Sequence, residues 1–593
     1  MRRSFLIISL LLSFKAFAQD EAAKKWADSV FTSLSPDERI AQLMVVRLSS
    51  IDTRTKVVTY YDKQVAELVK KYNIGGVCVF QGNPTMQAAT INNLQSLAKT
   101  PLLMCIDAEW GLGMRLLDSV MPLPKQMMLG AMQDPSIVYQ YGKLVAEQCK
   151  RFGIQVNYAP VVDVNNNPNN PVINDRSFGE DKYKVAAFAI QYMKGLQDNG
   201  VMACAKHFPG HGDVTADSHF DLPVINKSIT QLDSLELYPF RRIFNEGIAS
   251  TMVAHLYIPS IDSSANRATS LSKKNVDGLM RGNLGYQGLT FTDALDMKGV
   301  TKFFPDGEAS VQALIAGNDM LCLPEDVPLS IAKIKKAIKA KKISKADIEL
   351  HCKKALMAKY KYGLTHLNPV DTNNLVADLN NGIPAMRRLV AEHAITVVTK
   401  TDPAFFPFPA PLQALPNDVV YVSVGNNTDN AFAKRMRQDY NADVIYFDYK
   451  QPAAMVDSTV SRIRQRYKKV IIGIHQYNRA PANNFGISKP AVDLVKQLQD
   501  QTTAISFVFG NPYAIRNWCN AKNIIACYED DDIVQNTAID LLQGKINARG
   551  TLPVTVCPEH TYGSGITTTG FFLPRIRQQQ LASIPTNSTH SIR

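Results

Sequence analysis

Val201-Met-Ala-Cys-Ala-Lys206-His-Phe-Pro-Gly-His-Gly-Asp-Val-Thr-Ala-Asp217-Ser-His219 begins as a buried strand and ends in concentrated acid–base chemistry. Its opening residues are apolar. The fourteen from Lys206 to His219 hold three histidines, two aspartates and a lysine, interrupted by the turn residues Pro209, Gly210 and Gly212. Ionisable groups gathered where a strand gives way to a loop are what a site on a rigid scaffold requires. The arrangement recurs, since Asp107, Asp163, His255 and Asp293 also stand just past the apolar part of a strand-like run. In a barrel of parallel strands such positions all converge on one mouth.

Working outward, eight short apolar runs alternate with amphipathic stretches. They are Leu43–Leu48, Gly76–Phe80, Leu102–Ile106, Val156–Ala159, Met202–Ala205, Thr251–Ala254, Leu289–Phe291 and Asp319–Leu323. Helices are predicted between them, for example over Ile137–Arg151 and Ala186–Asn199. Strands alternating with helices argue for parallel βαβ units. Eight units point to an α/β fold of the (β/α)8, TIM-like barrel type. A doubly wound sheet has the same periodicity, and the polar residues at the strand ends favour the barrel.

Two more helices are predicted at Ser330–Lys341 and Ser344–Tyr360, then a linker rich in Asn, Asp and Pro over Thr365–Asn381. A helix near Pro384–Glu392 leads into β-branched runs at Val419–Val424, Val444–Phe447, Val470–Ile474, Ile505–Phe509 and Ile524–Cys527, separated by helices such as Ala453–Tyr467. This reads as a smaller sheet with helices on both faces. The expected organisation is a leader over 1–18, a barrel over 19–364, a linker over 365–382, an α/β sandwich domain over 383–574 and a polar tail over 575–593.

The leader has Arg2 and Arg3 ahead of the apolar run Phe5–Phe14, then Ala16-Phe-Ala18 as a small-x-small cleavage site. That is the pattern of a secretory signal peptide, too short for a stable membrane span. Export, to the periplasm or the medium, is therefore expected. Losing Arg2, Arg3 and Lys15 with the leader takes the formal charge from +12 to +9. Such an excess favours an anionic polymer as partner, or simply a solvated surface. No Lys/Arg run is interleaved with aromatics, so nucleic acid is not implied. The nine cysteines are scattered without a CxxC pair, and buried free thiols are expected, although export permits disulfides.

His207, His211, Asp213 and His219 are possible metal ligands. Against a metal, Pro209, Gly210 and Gly212 prevent the helix that would align a His-x3-His pair. In an extended loop Asp217 and His219 project on the same side. The carboxylate then favours imidazolium and orients the ring, which suits general acid–base work.

The Lys206–His219 segment closely resembles the signature of the N-acetylglucosaminidases of glycoside hydrolase family 3. Further motifs follow in the expected order between residues 30 and 365. Ile106-Asp107-Ala-Glu-Trp-Gly111 resembles the family's Asp-x-Glu-Gly-Gly segment, with Trp110 where a small residue is usual. Asn174-Asp-Arg176-Ser-Phe-Gly-Glu resembles its Arg-Ser-Phe-Gly motif, and Thr292-Asp293-Ala-Leu-Asp-Met297 its nucleophile segment. Phe509-Gly-Asn-Pro-Tyr513 is similar to a segment of two-domain members.

The resemblance implies a retaining exo-β-N-acetylglucosaminidase that needs no cofactor or metal. Asp293 would be the nucleophile and the Asp217–His219 pair the acid/base. Asp107, Arg176, Lys206 and His207 would bind the sugar's hydroxyls. Asp296 is expected to face away or to cap the following helix, and Asp163 and His255 to brace loops. A terminal N-acetylglucosamine on a peptidoglycan fragment is the implied substrate, with chitin oligomers as the alternative. The rivals are a β-glucosidase of the same family, which would take its acid from a second-domain Glu, a phosphorylase, and a non-catalytic sugar-binding protein. Loss of Asp293 or His219 would mark the last, and both are present.

Overall fold

The computed structural model describes residues 20–52, 54–216, 221–401, 406–410 and 418–568. The leader, the Asp217–His219 pair and the polar tail lie outside the described residues.

Eight parallel strands form the first sheet: β1 (Met44–Arg47), β2 (Gly76–Val79), β3 (Leu103–Ile106), β4 (Val156–Asn157), β5 (Met202–Phe208), β6 (Ser250–Val253), β7 (Leu289–Thr292) and β8 (Leu321–Cys322). Each pairs with its successor from β1 to β7, and β8 pairs with β1. Phe291 bridges Met320, and Thr292 N donates to Met320 O at 3.0 Å, which closes the cylinder between β7 and β8. Alternation along each strand divides the core. Val45, Cys78, Cys105, Cys204, Met252 and Phe291 fill the barrel interior, while Met44, Val77, Met104 and Ala203 pack against the outer helices.

The outer helices start where capping chemistry allows. Asp134 accepts from Ser136 N to open Pro135–Arg151, and Asp181 accepts from Lys184 N to open Lys182–Gln197, each relieving an otherwise unpaired helix N–H. These two helices meet through glycine. A Cβ on Gly142 would lie 2.5 Å from Tyr192 O, and one on Gly195 would lie 2.4 Å from Tyr139 O.

The segment read as a linker is clamped to the barrel. It contains a short helix, Leu375–Asn380, with Leu375 and Leu379 buried. Arg151 reaches Asp378 Oδ2 at 2.8 Å and the carbonyl of Asn373 at 2.8 Å. Helix Ile383–Ala394 then leads to a six-stranded sheet: β9 (Thr396–Lys400), β10 (Val419–Val424), β11 (Asp443–Phe447), β12 (Lys469–Ile474), β13 (Ala504–Val508) and β14 (Asn523–Ala526). Their order is β9-β14-β13-β12-β10-β11, with only β9 antiparallel. This edge strand was missed, though Ile395-Thr-Val-Val-Thr399 has the β-branched composition that marks one.

The cysteine expectation needs correction. Cys519 and Cys557 form a disulfide across 38 residues, while Cys78, Cys105, Cys149, Cys204, Cys322, Cys352 and Cys527 are free and buried. The bonded pair sits in loops rather than strands, where burial does not protect a thiol. Among the described residues, no helix is long and apolar enough to cross a membrane.

Candidate active site

The carboxyl end of the barrel opens into a cavity of 470 Å³ lined by Asp107, Glu109, Arg176, Lys206, His207, His211, Asp293 and Asp296, with Cys78, Tyr158 and Cys322 among its other walls. Asp107, Arg176, Lys206, His207 and Asp293, scattered over nearly two hundred residues, are thus brought together.

Lys206 and His207 are consecutive, and simple alternation would send them to opposite faces. The pairing of β5 with β6 shifts register between Ala205 and Phe208, an irregularity of the kind that re-aims side chains next to sites. Gly212 allows the loop beyond to close, because a Cβ there would fall 1.7 Å from Val164 O.

Charge is tightly organised. Lys206 Nζ lies 2.7 Å from Asp107 Oδ1 and 2.8 Å from Glu109 Oε1. Arg176 donates to Glu109 through Nη2 at 2.7 Å and Nε at 3.0 Å, the two-point geometry that suits a guanidinium. Arg115 Nη2 donates to Asp107 Oδ2 at 2.7 Å. Burial would raise the Asp107 and Glu109 carboxyls, but Lys206 with Arg115 on the first, and Arg176 with Lys206 on the second, outweigh it. Both are held below the ordinary carboxylate range, Glu109 strongly. Burial likewise opposes charge on Lys206, and Asp107 and Glu109 reverse it, raising its pKa. Asp107, Glu109 and Lys206 therefore stay charged, and with Arg176 and Arg115 the network is formed before any sugar arrives. Glu109 was not singled out, although it lies two residues from Asp107 in the same quoted motif.

Asp163 is a brace. It accepts from His207 Nδ1 at 2.7 Å and from the backbone N–H of His211 at 2.7 Å. The His207 ring is thereby oriented, with its Nε2 3.4 Å from Arg176 Nη2. Burial pushes the Asp163 carboxyl up, and His207 and His211 bring it below its ordinary value. His255 also braces: its Nδ1 lies 2.6 Å from Ser270 Oγ and its Nε2 2.9 Å from Ala294 O, beside Asp293.

Asp293 follows β7, with its N–H on Val253 O at 2.9 Å and its Oδ1 accepting from Ala294 N at 2.8 Å. Asp296 departs from expectation. It neither faces away nor caps the next helix, whose cap residue is Met297. It lines the cavity and pairs with Arg47. Burial raises its pKa, with Arg47 opposing.

His211, a possible metal ligand by sequence, is buried against the cavity, and among the described residues neither ring nitrogen has a hydrogen-bond partner. Burial lowers its pKa to about 4, with His207 adding to the effect. Of the other metal candidates, Asp213 Oδ2 holds Lys227 Nζ at 2.6 Å, and His207 is committed to Asp163. Among the described residues, the one cluster of three possible ligands is Cys519, Cys557 and Glu559, whose cysteines are disulfide-bonded.

The second domain reaches the site through loops at the carboxyl ends of its strands. Arg479, after β12, lines the cavity and donates from Nε to Asp175 Oδ1 at 2.6 Å. Tyr513, after β13, accepts from Asn165 Nδ2 at 2.9 Å. Glu529, after β14, accepts from Lys125 N at 3.0 Å. Near the chain's end Thr555 holds Glu180 through its N–H at 2.8 Å and its hydroxyl at 2.7 Å.

Comparison with known proteins agrees with this architecture. A β-hexosaminidase A from Pseudoalteromonas piscicida is 32% identical over 374 residues, 58% of this chain and 62% of that protein, so the match spans less than two thirds of its length. A Cellulomonas fimi protein named β-N-acetylglucosaminidase/β-glucosidase is 24% identical over 92% of this chain and 98% of its own. The structure of a glycoside hydrolase family 3 β-N-acetylglucosaminidase from Paenibacillus sp. str. FPU-7 matches with a TM-score of 0.71 and 26% identity, covering 88% of this chain and 99% of that one. The glycosyl hydrolase family 3 N terminal domain matches residues 35–357, more than half of the sequence, and the chain belongs to that family.

Proposed function

We propose that the chain is an exported, retaining exo-β-N-acetylglucosaminidase that releases terminal N-acetylglucosamine from peptidoglycan fragments. One observation carries this reading: Asp293 shares a cavity with a preformed network of Asp107, Arg176, Lys206 and His207, donors and acceptors enough for most hydroxyls of one sugar. Such a pocket suits a single terminal ring better than a polymer threaded through a groove. The names of the Pseudoalteromonas and Paenibacillus relatives support the N-acetylglucosaminide class. Export rests on the leader over 1–18 and the wall-fragment substrate on the charge of the mature chain.

In the first step the Asp293 carboxylate attacks the anomeric carbon, while His219, as imidazolium, protonates the departing glycosidic oxygen. A glycosyl ester forms and the aglycone leaves. In the second step neutral His219 takes a proton from water, which displaces Asp293 and restores its carboxylate. Asp217 keeps the imidazole oriented and favours its charged form.

The test compares nitrophenyl N-acetylglucosaminide with nitrophenyl glucoside, then follows products from wall fragments and chitin oligomers. Free N-acetylglucosamine is expected from the non-reducing ends. Internal oligomers, or a preference for the glucoside, would refute the reading. The Cellulomonas relative's double name favours a second reading, in which glucosides are accepted as a minor substrate.

A further inference from the structure

We propose that Arg479 and Trp110 form a binding site for the sugar that follows the scissile bond, and that this site selects a ring bearing a carboxylate. The inference rests on the reading of the cavity as the seat of a terminal N-acetylglucosamine, and it gives the second domain a part in substrate choice.

Among the described residues lining the cavity, Arg479 alone comes from the second domain. Its position is fixed at two points. Its carbonyl accepts from Asn511 Nδ2 at 3.0 Å, and its Nε donates to Asp175 Oδ1 at 2.6 Å. The guanidinium carbon lies 6.0 Å from the centre of the Trp110 ring, and Lys125 Nζ lies 5.9 Å from it. Both cations thus lie within reach of the indole ring, an attractive arrangement that fixes where it sits.

The other cations of the cavity are committed. Lys206 is bound to two carboxylates, Arg176 to Glu109 and Arg115 to Asp107, with side-chain exposures of 1%, 14% and 15%. Arg479 is 45% exposed, and among the described residues neither of its Nη groups has an acceptor. Exposure rises from Lys206 to Arg479, so the committed network sits inside and the uncommitted guanidinium at the mouth. If one ring occupies the network, the next comes to Trp110 and Arg479. An indole face suits the apolar face of a pyranose, and two open Nη groups match the two oxygens of a carboxylate. Asp175 does not exhaust Arg479, because it is shared with Lys125 at 3.3 Å.

The experiment measures kcat and KM on four substrates: nitrophenyl N-acetylglucosaminide, chitobiose, a disaccharide of N-acetylglucosamine β1,4-linked to a ring carrying a 3-O-lactyl carboxylate, and the methyl ester of that disaccharide. The carboxylate disaccharide should have the lowest KM of the three disaccharides, and esterification should remove the advantage without any change to the protein. Arg479→Gln should raise KM for the carboxylate disaccharide about 10- to 100-fold, as for loss of a charge-assisted pair. It should change KM for chitobiose and for the nitrophenyl substrate less than about threefold. Trp110→Ala should raise KM for both unesterified disaccharides. Equal effects of Arg479→Gln on all substrates, or an ester as good as the acid, would overturn the proposal. A wild-type enzyme inactive on nitrophenyl N-acetylglucosaminide would instead sink the underlying reading.

Discussion

Asn511 Nδ2 donates to Asn174 Oδ1 at 2.6 Å, so a side chain of the second domain holds the residue two places before Arg176. Asn174 has φ of 41°, in the left-handed region, and its N–H is taken by Asn165 Oδ1 at 3.0 Å. Tyr513 holds Asn165 in turn, and Thr555 holds Glu180 on the far side of Arg176. The loop that aims the arginine is therefore braced from outside the barrel. Asn511→Ala should lower kcat/KM on nitrophenyl N-acetylglucosaminide about tenfold, corresponding to the ~1.4 kcal/mol of one well-placed hydrogen bond. Steady-state kinetics beside a thermal melt will check this. An unchanged kcat/KM would show that Arg176 keeps its place without the second domain.

Asp293 and Asp296 both line the cavity, which makes the identity of the nucleophile an experimental question. Asp296 is paired with Arg47 and burial raises its pKa, so it is the less available nucleophile. Asp293→Ala should abolish turnover with the melt unchanged, since water alone does not replace the covalent route. A slow fluorinated sugar should leave a glycosyl ester on Asp293 in the peptide map. Labelling of Asp296 would reverse the assignment.

His219→Ala should lose less rate on a nitrophenyl leaving group than on a natural disaccharide. General acid help matters most for poor leaving groups and is worth about 10²–10⁴-fold. Asp217→Asn should act in the same direction, because the imidazolium loses its carboxylate partner, and the alkaline limb of the kcat/KM profile should move to lower pH. Equal losses of glycosylation rate on both substrates would exclude His219 as the acid.

The barrel was legible because its strands are short apolar runs, several of them followed at once by a polar residue, as Ile106 is by Asp107 and Ala254 by His255, and burial on both faces enforces the apolar runs. The sugar-binding set was legible through motifs that keep their residues within a few positions of one another. What the sequence hid are relations across long separations. Asp296 was misplaced because helical spacing after Asp293 says nothing of Arg47, nearly 250 residues earlier. The Arg479–Asp175 pair is of the same kind, set by how the two domains dock, and the Cys519–Cys557 bond is set by how loops meet within the second domain. His211 looked like a ligand because local sequence cannot show that both its nitrogens are buried, without a partner among the described residues.

His211 gives the last prediction. Its ring faces His207 at a centroid distance of 5.7 Å and feels the charges of Asp163 and Asp293. Burial lowers its pKa to about 4 from 6.5. Between those values the unfolded chain binds a proton that the folded chain does not. Stability therefore falls as pH drops from about 6.5 to about 4, by as much as about 3 kcal/mol at ~1.4 kcal/mol per unit. The lowered carboxyls of Asp107, Glu109 and Asp163 act in a different window. Their contribution is present above the ordinary carboxylate range and is lost only as pH falls through their depressed values. His211→Phe should flatten the slope of urea midpoint against pH between 6.5 and 4 and leave the steeper loss at lower pH in place. The same variant should raise KM for N-acetylglucosaminides about tenfold, because a neutral imidazole offers one donor and one acceptor to a sugar and phenylalanine offers neither. An unaltered slope would mean that His211 is already protonated in the folded chain, and an unaltered KM that its nitrogens do not meet the substrate.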